Sequence, residues 1–352
     1  MRVVFAHPPC SAQRCGLFAS LNWLLADAPD VHTLRTQEKR VVLANDAVLT
    51  PTLRTLAKSA NATLTTAPVN SHKLHGLLHG TLLPSKDELK VVRSPCGAIA
   101  KTYPLEHQRT LEAVESEWTV PSLTKESRLI VPWGSALLTK TARGVEFTLL
   151  QDDGGADVVD IEMTHLLNHN NEPHLGRIVT LVEDVARGLK ELHAMGFIHE
   201  DIKPENLVYS QEAGYRIIDF DMASRAGSGG RCNLRTRGTM LYLAPEKRLR
   251  LPFSCFASDV WSLGMTAASL LDNDTLDVCI DGIDFSSTTR ILAKIREYLQ
   301  GTSYTPAAQG GIIRLLGTML RVDPSERITP DQILLFIKSL RRHLPELGEE
   351  SE

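Results

Sequence analysis

The chain has 352 residues, 43% of them hydrophobic and 23% charged, which is apolar material for one large core or two modest ones and excludes disorder throughout. A formal net charge of −4 gives no bulk electrostatic reason to expect nucleic acid or an anionic membrane as a partner. The six cysteines, Cys10, Cys15, Cys96, Cys232, Cys255 and Cys279, lack the paired C-x-x-C spacing of zinc sites and read as reduced thiols of an intracellular protein, cytoplasmic or nuclear.

Residues 1–70 carry no assignable motif and are expected to be an N-terminal extension, packed on the domain or partly disordered. Their apolar stretch from Gly16 to Ala26 is interrupted by Ser20 and Asn22 and is too short to cross a bilayer; with only Arg2 and Arg14 as basic residues near it, no signal peptide is expected either. From 71 to about 151 the pattern is strand-like, at Val91-Val92, at Gly97-Ala98-Ile99-Ala100-Lys101, at Leu129-Ile130-Val131 and over 145–150. One helix interrupts these strands after Pro104, where Leu111, Val114, Glu115 and Trp118 recur at intervals of three and four. From about 155 the periodicity is helical. Ile178, Leu181, Val182, Val185, Leu189 and Leu192 form a long apolar stripe that ends before Gly196. Two short strands of the kind hairpins make follow at 207–209 and 215–218, and helices resume from about 257 to 343, before an acidic tail at 344–352.

Between the stripe and the hairpin lies His199-Glu200-Asp201-Ile202-Lys203-Pro204-Glu205-Asn206, which puts a carboxylate, an ammonium and a carboxamide at fixed offsets on one short loop. A carboxylate can accept the proton of an attacking hydroxyl, a lysine can neutralise a transferring phosphate and an asparagine can hold a magnesium ion. Eighteen positions beyond Asp201, Asp219 ends an apolar strand in Ile217-Ile218-Asp219-Phe220-Asp221, where a hard cation would find an oxygen donor. A third segment, Gly238-Thr239-Met240-Leu241-Tyr242-Leu243-Ala244-Pro245-Glu246, contains a glutamate that needs a buried cation if it is itself buried.

Taken in order, these segments resemble the catalytic loop, the Asp-Phe-Gly motif and the Ala-Pro-Glu segment of eukaryotic-type serine/threonine protein kinases, and the resemblance covers roughly residues 71–343. It implies an α+β, bilobal protein-kinase-like fold, with a small strand-rich N-lobe at about 71–151 and a larger, mainly helical C-lobe at about 155–343. It further implies transfer of the γ-phosphate of ATP to serine or threonine hydroxyls of a protein substrate, with Mg²⁺ as cofactor. In that scheme Asp201 is the base, Lys203 meets the γ-phosphate, and Asn206 and Asp219 hold the metal. Thr239 links Asp201 to Lys203, Arg327 partners Glu246, and Asp259 braces the catalytic loop. His199 is a packed core histidine.

In the N-lobe, Lys101 resembles the lysine that grips the α- and β-phosphates, with Ile99 where an alanine usually packs on adenine. The resemblance implies a carboxylate partner for it from the following helix, Glu115 first and Glu112 second. Gly76 and Gly80 are the expected remnants of the glycine-rich phosphate loop. Three departures from the family pattern stand out. Asp221 replaces a glycine, Ile99 replaces an alanine, and Glu200 replaces an arginine that in many kinases binds an activating phosphate. The last implies constitutive activity or control by a regulatory partner. These departures are also what a pseudokinase acting as a binding or scaffold module would show. Divergence of this kind suits a viral or effector kinase working inside a host cell as well as a cellular one. The basic cluster Arg231, Arg235, Arg237, Lys247, Arg248 and Arg250 reads as a solvated face.

Overall fold

The computed structural model describes residues 40–43, 63–66, 81–83, 89–93, 98–105, 108–123, 127–131, 133–141, 144–161, 175–227, 237–250, 255–280 and 287–343. The chain divides into two compact units, Met1–Leu123 with Pro132–Asp153, and Thr124–Val131 with Gly154–Glu352.

The first unit is built on a seven-stranded sheet. Its strands are β1 (Arg40–Leu43), β2 (Thr63–Thr66), β3 (Thr81–Leu83), β4 (Lys90–Arg93), β5 (Ala98–Pro104), β6 (Trp133–Thr141) and β7 (Gly144–Asp152), in the spatial order β2-β1-β6-β7-β5-β4-β3. From β3 through β6 the pairing is antiparallel, whereas β1 lies parallel to both β2 and β6. Within residues 1–70, expected as an N-terminal extension, 40–43 and 63–66 are strands of this sheet. The strand expected at 129–131 is a single bridge, Ile130 to Ile217, and it lies in the second unit.

Helix α1 (Gln108–Leu123) covers one face of the sheet. Register explains which face: Lys101 stands opposite Leu149 and Tyr103 opposite Phe147, and cross-strand partners point to the same side. Trp118 of α1 is fully buried and meets Phe147 at 5.3 Å between ring centroids. The same face therefore carries Lys101 into the interior. On the other side Thr102 and Thr148 satisfy each other through a buried hydroxyl hydrogen bond of 3.0 Å.

The second unit is organised by two long helices, α2 (Leu175–Ala194) and α4 (Cys255–Leu271). The stripe read from the sequence is the buried face of α2, and Ile178, Leu181, Val182, Val185, Leu189 and Leu192 are all shielded from solvent. Around this pair lie β8 (Ala156–Asp157), β9 (Phe197–Ile198), β10 (Leu207–Ser210), β11 (Gly214–Ile217), β12 (Ser224–Arg225) and α3 (Pro245–Arg248). The remaining helices are α5 (Asp277–Ile280), α6 (Ser287–Gln300), α7 (Pro306–Met319) and α8 (Pro330–His343). The expected hairpin is β10 with β11, Leu207 facing Ile217 and Ser210 facing Gly214. Its tight end requires Gly214 at a φ of 73°, packed against the Asp184 carboxylate, which also accepts from the Tyr215 amide at 3.1 Å.

Candidate active site

The carboxylate of Asp201 is held at every lone-pair position. Its Oδ1 accepts from the Thr239 amide and the Thr239 hydroxyl, both at 2.7 Å. Its Oδ2 accepts from the Lys203 ammonium at 2.7 Å and from the Asn206 carboxamide at 3.1 Å. Asn206 also donates to the Asp201 backbone carbonyl at 2.7 Å, and Lys203 reaches Thr239 Oγ1 at 2.8 Å. An ionised carboxylate offers about four acceptor sites, so this one is oriented as tightly as its chemistry permits. Lys203 has three N–H donors and spends two of them here, which leaves the third for an anion. Asp201, Lys203, Asn206 and Thr239, expected together from the sequence, are together.

The loop that carries them is anchored through its backbone. Asp259, fully buried on α4, accepts from the amides of His199 (2.9 Å) and Glu200 (3.0 Å), and from His193 Nε2 at 2.9 Å. Burial pushes the Asp259 carboxyl up, but the His193 hydrogen bond and the charges of His193, Lys247 and His199 outweigh it and hold the group below its ordinary value. Glu200 adopts a left-handed φ of 72°, a cost of roughly 1 kcal/mol that the two anchored amides can sustain. His199 is fully buried, packed edge-on to Phe220 at 4.8 Å and bonded to the Ile218 carbonyl at 3.0 Å, which is a packing role.

Asp219 also sits at positive φ, 64°, immediately after Ile218, whose amide donates to the Asn206 carbonyl at 3.0 Å. That bond ties the residue before Asp219 to the backbone of Asn206. Asp221 is not among the described non-glycine residues at positive φ, so an aspartate fits a backbone position where the resemblance places a glycine. Among the described residues no three His, Cys, Asp or Glu side chains cluster as a metal cage. A carboxylate and a carboxamide oxygen from neighbouring segments are a hard donor set suited to Mg²⁺, which is ordinarily held by one or two protein oxygens together with substrate phosphates.

Glu246 and Arg327 form a two-pronged buried ion pair, 2.7 and 3.0 Å, with both side chains almost fully shielded. Arg327 additionally donates to the carbonyls of Ala257 (2.7 Å) and Arg321 (2.8 Å) and lies over the Trp261 ring.

In the first unit, Lys101 is 5% exposed and its ammonium lies 3.4 Å from Glu117, itself 1% exposed. This corrects the expected partner. Glu115 is exposed, and Glu112 is only half-buried. The reason is helix phase: Val114, Glu117, Trp118 and Pro121 share the buried side of α1, and two residues of offset turn Glu115 by about 200° away from Glu117. Ile99 is half-buried between buried Ala98 and Ala100. Gly76 and Gly80 lie outside the described residues, and both precede β3. The hairpin ahead of the Lys101 strand is β3 with β4, Leu83 facing Val91, so its connection is the glycine-free stretch 84–89.

A shielded carboxylate with an ammonium and a carboxamide on the same loop, and a second carboxylate following the next hairpin, is the equipment of a phosphotransferase. Residues 155–335, just over half of the chain, match the family model of the protein kinase domain. The chain belongs to the protein kinase family. It is similar to the serine/threonine-protein kinase H1 homolog of Danio rerio, 32% identical over 45% of this chain and 36% of the relative. It is also similar to mitogen-activated protein kinase 14 of Xenopus laevis, 30% identical over 47% of this chain and 52% of the relative. A third relative is the inactive serine/threonine-protein kinase PLK5 of Mus musculus, 32% identical over 42% of this chain and 23% of the relative. The chain thus spans between about a quarter and a half of the length of these relatives. Among the described residues no helix is long and apolar enough to cross a membrane.

Proposed function

We propose that this protein is an ATP-dependent serine/threonine protein kinase. The observation that carries the reading is the complete set of donors around Asp201, because a base that must remove a proton from a hydroxyl as it attacks has to be fixed to within a fraction of an ångström. In the proposed reaction a serine or threonine hydroxyl of a protein substrate displaces one of the donors now on Asp201. Its oxygen bonds to the γ-phosphorus, the bond to the β,γ-bridging oxygen breaks, ADP leaves, and Asp201 takes the hydroxyl proton. Lys203 supplies positive charge to the γ-phosphoryl oxygens through its remaining donor. Lys101, held by Glu117, is assigned to the α- and β-phosphates. Asn206 and Asp219 would hold Mg²⁺, which neutralises phosphate charge when bound.

The rival reading, a pseudokinase that binds but does not catalyse, draws on the eroded glycine pattern at Gly76 and Gly80 and on Ile99, Glu200 and Asp221. Loss of glycines from a phosphate-covering sequence weakens nucleotide binding more directly than it removes the chemical step. Incubation of purified protein with γ-labelled ATP and a generic protein substrate, with and without Mg²⁺, separates the two readings. Label on serine or threonine that requires Mg²⁺ and vanishes in Asp201→Asn supports the kinase. Nucleotide binding with no transfer under any condition establishes the pseudokinase.

A further inference from the structure

Glu200, which stands where many kinases carry a phosphate-reading arginine, is held on both its side-chain and backbone sides. Its side chain accepts from the Lys247 ammonium at 3.0 Å on one oxygen and from the Ser224 hydroxyl on the other. Both members of the ion pair are buried, 4% and 7% exposed. On the backbone side, its amide is fixed by Asp259, and its carbonyl lies so close to Gly238 that a side chain there would collide with it. Gly238, at a φ of 107°, immediately precedes Thr239, which bonds Asp201 through both its amide and its hydroxyl. Lys247 is equally constrained. In the four-residue helix α3, Glu246 is tied to Arg327 and its neighbour Lys247 to Glu200, so adjacent residues pin one turn of helix to two different parts of the unit.

We propose that Lys247 is a positioning residue for catalysis: its buried pair with Glu200 locks the segment that carries Gly238 and Thr239 against the catalytic loop, and so orients Asp201 without any phosphate. The inference rests on the kinase reading of the same site and adds its mode of regulation. Where many kinases read a phosphate on this segment with a loop arginine, the charges here are exchanged and built in, the anion on the loop and the cation on α3. A buried pair of this kind is costly to break from one side only, because the remaining charge has no water to turn to. The lock is therefore permanent and not conditional.

The test uses the full chain, as purified and after phosphatase treatment, with Lys247→Met, Glu200→Gln and the double variant. Wild-type turnover should be the same before and after phosphatase. In Lys247→Met the turnover number should fall by roughly tenfold or more, about 1.4 kcal/mol in barrier, with the KM for ATP little changed. Exchange of the Thr239 amide, measured by hydrogen–deuterium exchange, should accelerate in parallel. The double variant, which buries no unpaired charge, should lose less than the product of the two single losses. If Lys247→Met does not fold, Glu200→Gln reads the same lock through the Thr239 amide. Thr239 protection equal to wild type in the single variants, strictly multiplicative losses, or a turnover that collapses on phosphatase treatment each overturns the proposal. Amide exchange needs no catalysis. A wild-type protein that transfers no phosphate, yet loses Thr239 protection in both Lys247→Met and Glu200→Gln, would refute the kinase reading while leaving the lock standing.

Discussion

Arg327→Ala should destabilise the second unit severely while leaving the groups around Asp201 chemically intact. The side chain is wholly buried and makes two bonds to Glu246, together with donations to the carbonyls of Ala257 and Arg321. Its removal leaves the Glu246 carboxylate buried and unpaired, which costs about 3–5 kcal/mol. Loss of a donor from each of the two carbonyls adds about 1 kcal/mol or more apiece wherever water cannot enter. Against a total stability of roughly 5–15 kcal/mol, this is a large share. For a unit of about 200 residues, each kcal/mol moves the melting temperature by roughly 2–4 °C, so the ion-pair loss alone should lower it by roughly 6–20 °C. Thermal unfolding followed by circular dichroism gives the number. Arg327→Lys, which keeps the charge but cannot bridge both carboxylate oxygens, should fall in between. A melting temperature within about 2 °C of wild type for the alanine variant would show that the pair does not hold α3 in place, and the reasoning about Glu246 would fail with it.

Asp219→Ala should fold normally and transfer no phosphate, because the side chain is assigned to charge neutralisation and not to packing; wild-type transfer rates in that variant would remove it from the metal site. Glu117→Gln should weaken ATP binding and turnover through Lys101, whereas Glu115→Gln should leave both unchanged; equal effects of the two in a nucleotide titration would contradict the helix phase described for α1. Asp259 titrates below its ordinary value when folded, so its contribution to stability is fully present above the unfolded carboxylate range near ~3.9 and is lost only as the pH falls through the lower folded value. His193→Gln removes the strongest influence lowering it and should move the acid-unfolding midpoint to higher pH; an unmoved midpoint would mean that His193 does not hold that carboxylate ionised.

What was legible in the sequence is what depends on short, fixed offsets. Asp201, Lys203 and Asn206 lie within one turn of chain, so their spacing nearly determines their geometry, and Asp219 follows a hairpin whose two strands can be read directly. The long α2 stripe was equally plain because six large residues repeat the helical period. The sequence does not single out Glu117, because a helix turns about 100° per residue and a shift of one or two positions decides which glutamate faces the sheet. Leu111, Val114 and Trp118 alone do not settle that phase. Trp133–Thr141 gives no strand signal because its apolar residues Ala136, Leu137 and Leu138 are consecutive and show no alternation. The two parallel strands at 40–43 and 63–66 are four residues each and pair over a long sequence separation, which leaves no local signature.

Those two strands bear on how the protein can be handled. Strand β1 occupies the hydrogen-bonding edge of β6 from Ser135 to Leu138, the side opposite β7. A version trimmed to start after residue 70 would keep every catalytic group named above, yet it would bare a row of unpaired amides and carbonyls on a nine-residue strand. Such an edge readily recruits another chain, so trimmed preparations should self-associate at concentrations where the full chain stays monodisperse. The residues that look least like a kinase would then act as the guard strand of its sheet.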